Sequence, residues 1–134
     1  MFKLNLLTPE KKAVFDQEVT VVTVPAYSGE ITILPGHAPM ITTLGTGILK
    51  YKIKGVDKTF KAVISWGYCE VTTEGVNVLA EFMQTPEEVS VADTQKALQT
   101  AEKKMATEIL SDAEFNLATN DAAKARAAIE VVKH

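Results

Sequence analysis

The sequence predicts an α+β fold, with an N-terminal antiparallel β-sandwich or flattened barrel and a C-terminal antiparallel hairpin of two helices. Up to about residue 85, apolar and β-branched residues come in short runs, with turn residues at intervals of roughly 8 to 12 positions. Beyond residue 87 the apolar residues recur at spacings of three and four, which is the period of an α-helix. We therefore divide the chain into a β domain, residues 1–86, and a helical hairpin, residues 87–134.

The β domain is predicted to contain a series of short strands. Residues 2–6 alternate apolar and polar side chains, and Thr8-Pro9 forms the first turn. Gly67 is expected to interrupt one strand, and Glu74-Gly75 is expected to turn the chain before the last one. The remaining strands are predicted at residues 13–15, 19–24, 31–34, 48–53, 59–65, 69–72 and 76–82.

The tract from residue 29 to residue 52 organises this domain, since it holds four of the seven glycines and two of the five prolines. Pro35 fixes its own φ and Gly36 can adopt a positive φ, so this pair predicts a tight corner between two strands. Pro39 biases the residue before it toward an extended backbone. The tract is therefore predicted to run strand, corner, strand.

Two helices are predicted after a linker at residues 85–88. Ser90 with Asp93 forms a start signal for the first helix, and Ser111 with Glu114 forms another for the second. The predicted buried stripes are Leu98, Ala101, Met105 and Ile109 in the first helix, and Phe115, Ala118, Ala122, Ala125, Ile129 and Val132 in the second. Because alanine buries little area, we expect a hairpin that must pack on the β domain or on another protein and that can switch between them.

Composition and charge argue against several classes of function. A net charge of −3 gives no electrostatic attraction to nucleic acid. The single cysteine, Cys69, excludes an internal disulfide and is expected to be a buried strand residue. The apolar part of the N-terminus is too short for a signal peptide, and no run approaches the ~20 apolar residues that span a bilayer. We therefore expect a soluble protein that reaches a membrane only through a partner.

His37 is the only side chain in the glycine-rich and proline-rich motif that titrates near neutral pH. Its sequence neighbours offer no second catalytic group, so a structural histidine bonded to a loop carbonyl is expected. Metal-ligand spacings are absent, and Gly45-Thr46-Gly47 lacks the rest of any phosphate-binding pattern. We expect no catalytic site, metal or cofactor. Two alternatives stay open, namely a small acid–base enzyme centred on His37 and a free-standing binding module whose hairpin docks a helix.

Residues 33–39, Ile-Leu-Pro-Gly-His-Ala-Pro, resemble the signature of the epsilon subunit of F-type ATP synthases. Ser28-Gly29-Glu30 before it, Gly67 with Glu70-Val71 after it, and residues 76–80 are similar to the family in the same order along the chain. The change from strands to a helical hairpin agrees with the family as well. The resemblance thus covers nearly the whole sequence.

The resemblance implies a non-catalytic rotor subunit of the proton-translocating ATP synthase, peripheral on the cytoplasmic face of the bacterial plasma (inner) membrane. Its β domain would bind the gamma subunit and the c-ring, with Glu30 and His37 at these contacts. Its helices would extend toward the catalytic alpha and beta subunits and inhibit ATP hydrolysis, with Lys124 and Arg126 as contacts. Gly36 indicates the bacterial type, because plastid members commonly have Asn there.

The sequence also departs from the family pattern. Some bacterial members bind ATP at an Ile/Leu-Asp-x-x-Arg-Ala motif that opens the first helix. Here Ser90 stands in place of the Asp and Asp93 in place of the Arg, so no nucleotide binding is expected. The basic residues of the second helix are limited to Lys124, Arg126 and Lys133. The family usually has smaller residues at the positions of Trp66-Gly67-Tyr68. Local packing is the only explanation that the sequence offers for the larger ones.

Overall fold

The computed structural model describes residues 2–10, 12–36 and 38–133, and only the backbone of Lys12, Ala13 and Lys133. Within these residues the chain forms seven strands, a 3-10 turn at Pro86–Glu88 and two α-helices. The strands are β1 Phe2–Leu7, β2 Lys12–Ala26, β3 Gly29–Ile33, β4 Met40–Leu44, β5 Gly47–Ile53, β6 Thr59–Val71 and β7 Gly75–Gln84, and the helices are α1 Val91–Thr107 and α2 Asp112–Lys133.

The seven strands form one flattened barrel with two packed layers, which confirms the predicted fold class. Pairings of β1 with β7, β7 with β6, β6 with β5, β5 with β2, and β2 with β1 close the barrel. The long strands β2, β6 and β7 pass from one layer into the other, and β3 and β4 extend the layers at β2 and β6. The described pairings are antiparallel apart from that of β1 with β7, which are distant in sequence and run parallel.

The barrel core consists of aliphatic side chains from the inner faces of both layers. Leu4, Val22, Leu49 and Ile64 are fully buried there. Cys69 lies in the same cluster, as predicted. Burial raises the pKa of its thiol to about 11, so the group stays protonated at neutral pH and is a poor nucleophile. The cysteine is therefore a small core residue.

A corner in β6 replaces the interruption that was predicted at Gly67. The strand continues through this glycine, whose absent β-carbon would otherwise collide with the carbonyl oxygen of Leu79 in β7. Trp66 beside it adopts a positive φ of 57°. The buried alternation shifts here by one residue, because Ile64 before the corner and Cys69 after it both point into the core. The predicted break is thus a bend, and β6 continues through it from one layer of the barrel into the other.

Two other strands also differ from the sequence prediction. β2 is one strand of 15 residues, where separate strands were predicted at 13–15 and 19–24. Asp16 lies between those segments with a φ of 50°, and its N–H donates to Asn5 Oδ1 at 2.8 Å. This irregularity breaks the alternation but not the pairing with β1. β4, at Met40–Leu44, was not predicted as a separate strand.

Both helix starts agree with the sequence signals. The Ser90 hydroxyl accepts from the Asp93 N–H at 3.5 Å, and the Ser111 hydroxyl accepts from the Glu114 N–H at 3.2 Å. The Glu114 side chain in turn accepts from the Ser111 N–H, completing a capping box. These hydrogen bonds lower the pKa of Glu114, so its carboxylate is ionised at the helix start.

The predicted apolar stripes are correct only in part. Ala101 of α1 and Ala118, Ala122 and Ala125 of α2 are buried, as expected. Ile109 lies beyond the end of α1 and is exposed, and Phe115 and Val132 are exposed on α2. The reason is that α2 is covered on two sides. One side packs on α1, and the other places Ala127, Ala128 and Val131 on Val63 of β6.

Candidate functional site

The corner after β3 borders a shallow groove, which we call the motif groove. Pro35 and Gly36 form the predicted turn, with Gly36 at a φ of 84°. The groove has a volume of about 260 Å³ and lies between this loop, the start of β1 and the turn joining β6 to β7. His37 lies outside the described residues, so its expected structural role stays a prediction. Leu34 on the same loop is exposed and apolar.

Glu30 lies close in sequence to this loop, on strand β3. It is exposed and pairs with Pro25 of β2, whose lack of an N–H leaves that ladder position without a donor. β3 ends the sheet order, so it is an edge strand. The carboxylate is therefore exposed at the edge of the sheet, on the strand that leads into the loop of the motif groove.

A second surface, which we call the apolar face, lies on the outside of the layer formed by β4, β6 and β7. Tyr68 is paired with Thr43 on one side and with Leu79 on the other. Large side chains are exposed across these strands, with exposed fractions of 72% for Ile41, 51% for Trp66, 48% for Tyr68 and 36% for Leu79. Exposure of this kind corrects the local-packing account of Trp66, and adjacent exposed apolar side chains mark an interaction surface.

Beside these residues runs a polar row that crosses the same layer. Asn5 Nδ2 donates to Asn77 Oδ1 at 2.9 Å, and Asn77 Nδ2 donates to Glu70 Oε1 at 3.3 Å. The register places Ile41 opposite Glu70. The apolar face is thus bordered by fixed hydrogen-bonding groups, an arrangement typical of protein interfaces with a polar rim.

The third surface, which we call the hairpin seat, is where α2 lies against β5, β6 and β7. Thr46 Oγ1 donates to Asn120 Oδ1 at 2.7 Å and is 2.8 Å from Ser65 Oγ. Farther along the helix, Lys124 Nζ lies 4.7 Å from the centre of the Phe82 ring, a cation–π contact. Sequence analysis did not find this hydrogen-bonded cluster, because its members are separated by up to 74 residues.

The two charged residues predicted to contact other subunits therefore have partners within the chain. Lys124 covers Phe82, and Arg126 Nη2 lies 3.6 Å from Glu102 Oε2 of α1. The Arg126 pair is half-exposed on both sides, so its contribution to stability is small. In this conformation the hairpin is folded on the β domain, and Lys124 and Arg126 both contact side chains of the same chain.

A cleft of about 720 Å³ lies between α1 and α2, and Ser90 and Asp93 line it. Four acidic side chains and two lysines face it, namely Glu88, Asp93, Glu114 and Asp121, with Lys104 and Lys124. Arginine is absent from this lining, and Lys124 is already placed over Phe82. The excess of acidic side chains disfavours the binding of a nucleoside triphosphate. The altered motif at Ser90 and Asp93 leads to the same expectation.

The described residues also bear on two other classes of site. They contain no group of three or more His, Cys, Asp or Glu side chains that could hold a metal ion. Among the same residues, neither helix combines the length and apolar character needed to cross a bilayer.

Comparison with known proteins decides the family. The family model for the ATP synthase delta/epsilon chain β-sandwich domain matches residues 1–86. The ATP synthase epsilon chain of Bdellovibrio bacteriovorus is 50% identical over 131 residues, which cover 98% of this chain and 94% of the relative. The chain belongs to the ATP synthase epsilon family. It is accordingly a non-catalytic subunit, and the alternatives of an acid–base enzyme and a free-standing module give way to this assignment.

A second relative belongs to the same family, and two solved structures share the fold. The epsilon chain of Pelotomaculum thermopropionicum is 39% identical over 104 residues, covering 78% of this chain and 75% of that one. A chain of the Euglena gracilis mitochondrial ATP synthase structure containing OSCP, F1 and the c-ring has a TM-score of 0.86 at 24% identity, covering 99% of this chain and 81% of that chain. A chain of the Tetrahymena thermophila central stalk and c-ring structure has a TM-score of 0.68 at 17% identity, with coverages of 98% and 96%. This chain therefore shares its fold with these two solved chains.

Proposed function

We propose that this epsilon chain is a central-stalk component of a proton-translocating F-type ATP synthase and joins the rotation of the c-ring to the catalytic head. The observation that supports this most strongly is its 50% identity, over nearly the full chain, to the Bdellovibrio epsilon chain. The two structural neighbours come from assemblies that contain a c-ring. The protein is attached to the cytoplasmic face of a bacterial plasma membrane through these partners.

The β domain supplies two surfaces suited to different partners. Glu30 and the adjoining motif groove present a carboxylate and a short apolar loop, which suit the polar loops of a c-ring, with His37 nearby in sequence. The apolar face presents Ile41, Trp66 and Tyr68, which suit burial against the gamma subunit. Aromatic side chains of this kind dominate the binding energy of many interfaces.

The hairpin is the regulatory part of the proposal. The apolar part of its contact with the barrel consists of alanines and one valine on the helix side, which bury little apolar area, so release costs little. Once α2 is released, Lys124 leaves Phe82 and joins the half-exposed Arg126 as a free cation, and the hairpin can extend toward the alpha and beta subunits. Extended, it blocks rotation and inhibits ATP hydrolysis. This is a switch between two packings of one element.

Removal of residues 87–134 in the assembled enzyme tests the regulatory role. The truncated subunit should still assemble and couple proton flow to ATP synthesis, because the proposed rotor contacts lie in the β domain. ATP hydrolysis should rise, because the inhibitory segment is gone. Failure to assemble, or hydrolysis that stays unchanged with and without a membrane potential, would show that the hairpin is a structural brace.

Charge reversal in the full-length subunit refines this test. Lys124→Glu with Arg126→Glu should reproduce part of the rise in hydrolysis, because the reversed charges repel acidic loops on the catalytic subunits. The partial effect should shrink as salt is raised. Lys52→Glu with Lys54→Glu makes the same charge change on exposed positions of the β domain and should leave hydrolysis unchanged.

A further inference from the structure

The apolar packing between α2 and the barrel does not by itself specify one docked position. Ala127, Ala128 and Val131 are the buried helix residues of this contact. Alanines recur about one turn earlier, since Ala123 precedes Ala127 by four residues and Ala125 precedes Ala128 by three. A shift of α2 by one turn, about 5.4 Å along its axis, would therefore keep small apolar side chains against much of the same surface. Alanine contacts therefore specify the register of α2 only weakly, and a more specific contact has to select that register.

The polar cluster of the hairpin seat supplies such a contact. Ser65 lies on β6 with 1% of its surface exposed, and its hydroxyl is 2.8 Å from that of Thr46. Both hydroxyls can donate to Asn120 Oδ1, Thr46 Oγ1 at 2.7 Å and Ser65 Oγ at 3.4 Å. The chain of hydrogen bonds thus ends on a carbonyl oxygen of α2, which has to be an acceptor.

Neither one-turn shift of α2 reproduces both contacts. One shift brings Lys124 to the two hydroxyls, where its ammonium group can donate but not accept, and takes it away from Phe82. The opposite shift brings Asn116 to the hydroxyls but moves Lys124 away from Phe82. The observed position is the one in which the amide meets Thr46 while the cation covers the ring.

We propose that Thr46, Ser65 and Asn120 form a latch that fixes the register of the docked hairpin and so keeps Lys124 on Phe82, away from the catalytic head. The effect on hydrolysis rests on the function proposed above, whereas the latch itself is a property of the isolated chain. Thr46 and Ser65 remain bonded to each other when α2 leaves, and water can replace Asn120. The latch therefore specifies position without making release costly, as a single polar residue does at a helix interface.

Two pairs of variants test the latch in the isolated full-length chain. Asn120→Leu removes the amide acceptor, and Thr46→Val removes the shorter of the two hydrogen bonds that it accepts. Amide exchange across α2 should become about fivefold faster in each. Asn116→Leu makes the same substitution one turn earlier at an exposed position, and Thr20→Val makes the threonine change on an exposed part of β2. Both control variants should exchange like the unaltered chain.

Methyl contacts between Val63 and Val131, measured by nuclear Overhauser effects, report the register directly. The contact should be single and strong in the unaltered chain, and it should weaken or split in Asn120→Leu. Unchanged exchange and an unchanged Val63–Val131 contact in both latch variants would overturn the proposal. The proposal would also be overturned if a control variant accelerated amide exchange in α2 as much as the matched latch variant does.

The assembled enzyme separates the latch from the function on which its consequence rests. If both are right, Asn120→Leu and Thr46→Val lower ATP hydrolysis, because the hairpin is released more often, and the controls do not. Faster α2 exchange with unchanged hydrolysis would retain the latch and refute the inhibitory role of the hairpin. Lower hydrolysis without any change in α2 exchange would refute the latch alone.

Discussion

Gly67 lies where β6 approaches β7 most closely, at the corner between the two barrel layers. A methyl group there would meet the backbone of Leu79 and Ala80, which cannot move without breaking the ladder. Gly36 offers a comparison, since it needs a positive φ but faces open space. The two glycines are thus required for different physical reasons, one by crowding and the other by conformation.

We therefore expect Gly67→Ala to unfold or severely destabilise the chain, by roughly 3 kcal/mol or more, as overpacking and backbone displacement do. Gly36→Ala should cost only about 1 to 2 kcal/mol, the penalty of a left-handed backbone for a residue with a β-carbon. Urea denaturation of both variants measures the difference. Equal losses of stability would show that the corner at Gly67 can relax.

At this scale the sequence predicts only what depends on neighbouring residues. The turn at Pro35-Gly36 and the helix caps at Ser90 and Ser111 were predicted correctly, because each is determined within four positions. Gly67 carried no comparable local signal for a corner, since its requirement comes from a different strand. The same is true of Asn120, whose partners lie 55 and 74 residues away.

The two helices form an element with a cleft that favours cations over anions. Four carboxylates and two lysines line it, and the Ser111 hydrogen bonds that lower the pKa of Glu114 keep that carboxylate ionised. ATP carries several negative charges and, beyond Lys104, would have to displace Lys124 from Phe82 to gain a second cationic partner. Charge and geometry therefore act in the same direction as the altered motif at Ser90 and Asp93.

Calorimetry with the isolated chain should accordingly detect no ATP binding tighter than the millimolar range. A micromolar isotherm would show that the altered motif still forms a nucleotide site. Asp93→Asn with Asp121→Asn removes two of the acidic groups from the cleft. If repulsion is the reason for weak binding, this double variant should bind ATP more tightly than the unaltered chain, and a decrease in affinity would contradict that reason.

The helical stripes illustrate what periodicity can and cannot specify. A spacing of three and four correctly places Ala118, Ala122 and Ala125 on one side of α2, because α1 runs alongside that side. It cannot show that a second surface is covered by the barrel, where Ala127 and Val131 are buried. A helix that packs against two partners has two stripes, and alanine is too common in α2 to distinguish them.

In the whole molecule, the surfaces proposed for assembly and for regulation include different ends of the same strand. The hairpin seat includes Ser65 of β6, whereas the motif groove includes Val71, which lies six residues farther along. At about 3.3 Å per residue these positions are up to roughly 20 Å apart along the strand. A partner in the motif groove can therefore bind whether the hairpin is docked or released, as a rotor subunit with a movable inhibitor requires.

The sequence predicts the succession of a β domain and a helical hairpin but not the composition of the surfaces. Strand alternation indicates which residues face inward, yet the corner at Trp66 shifts that alternation, so that Ile64 and Cys69 both face the core. The apolar face appears only when β4, β6 and β7 are placed side by side. Tyr68 and Leu79 have ordinary strand neighbours in the sequence, so neither could be recognised as part of an interface.

The apolar face leads to the last prediction, that Ile41→Lys and Tyr68→Lys each reduce co-purification of the gamma subunit by roughly tenfold or more. Burial of an unpaired ammonium at an interface is costly, and the centre of an apolar surface is where it costs most. Val56→Lys makes a comparable change on an exposed side chain in the turn after β5 and should leave gamma recovery unchanged. All three variants should keep slow amide exchange in α2, because none touches the hairpin seat. Equal recovery of gamma with all three would show that the gamma subunit binds elsewhere on the barrel.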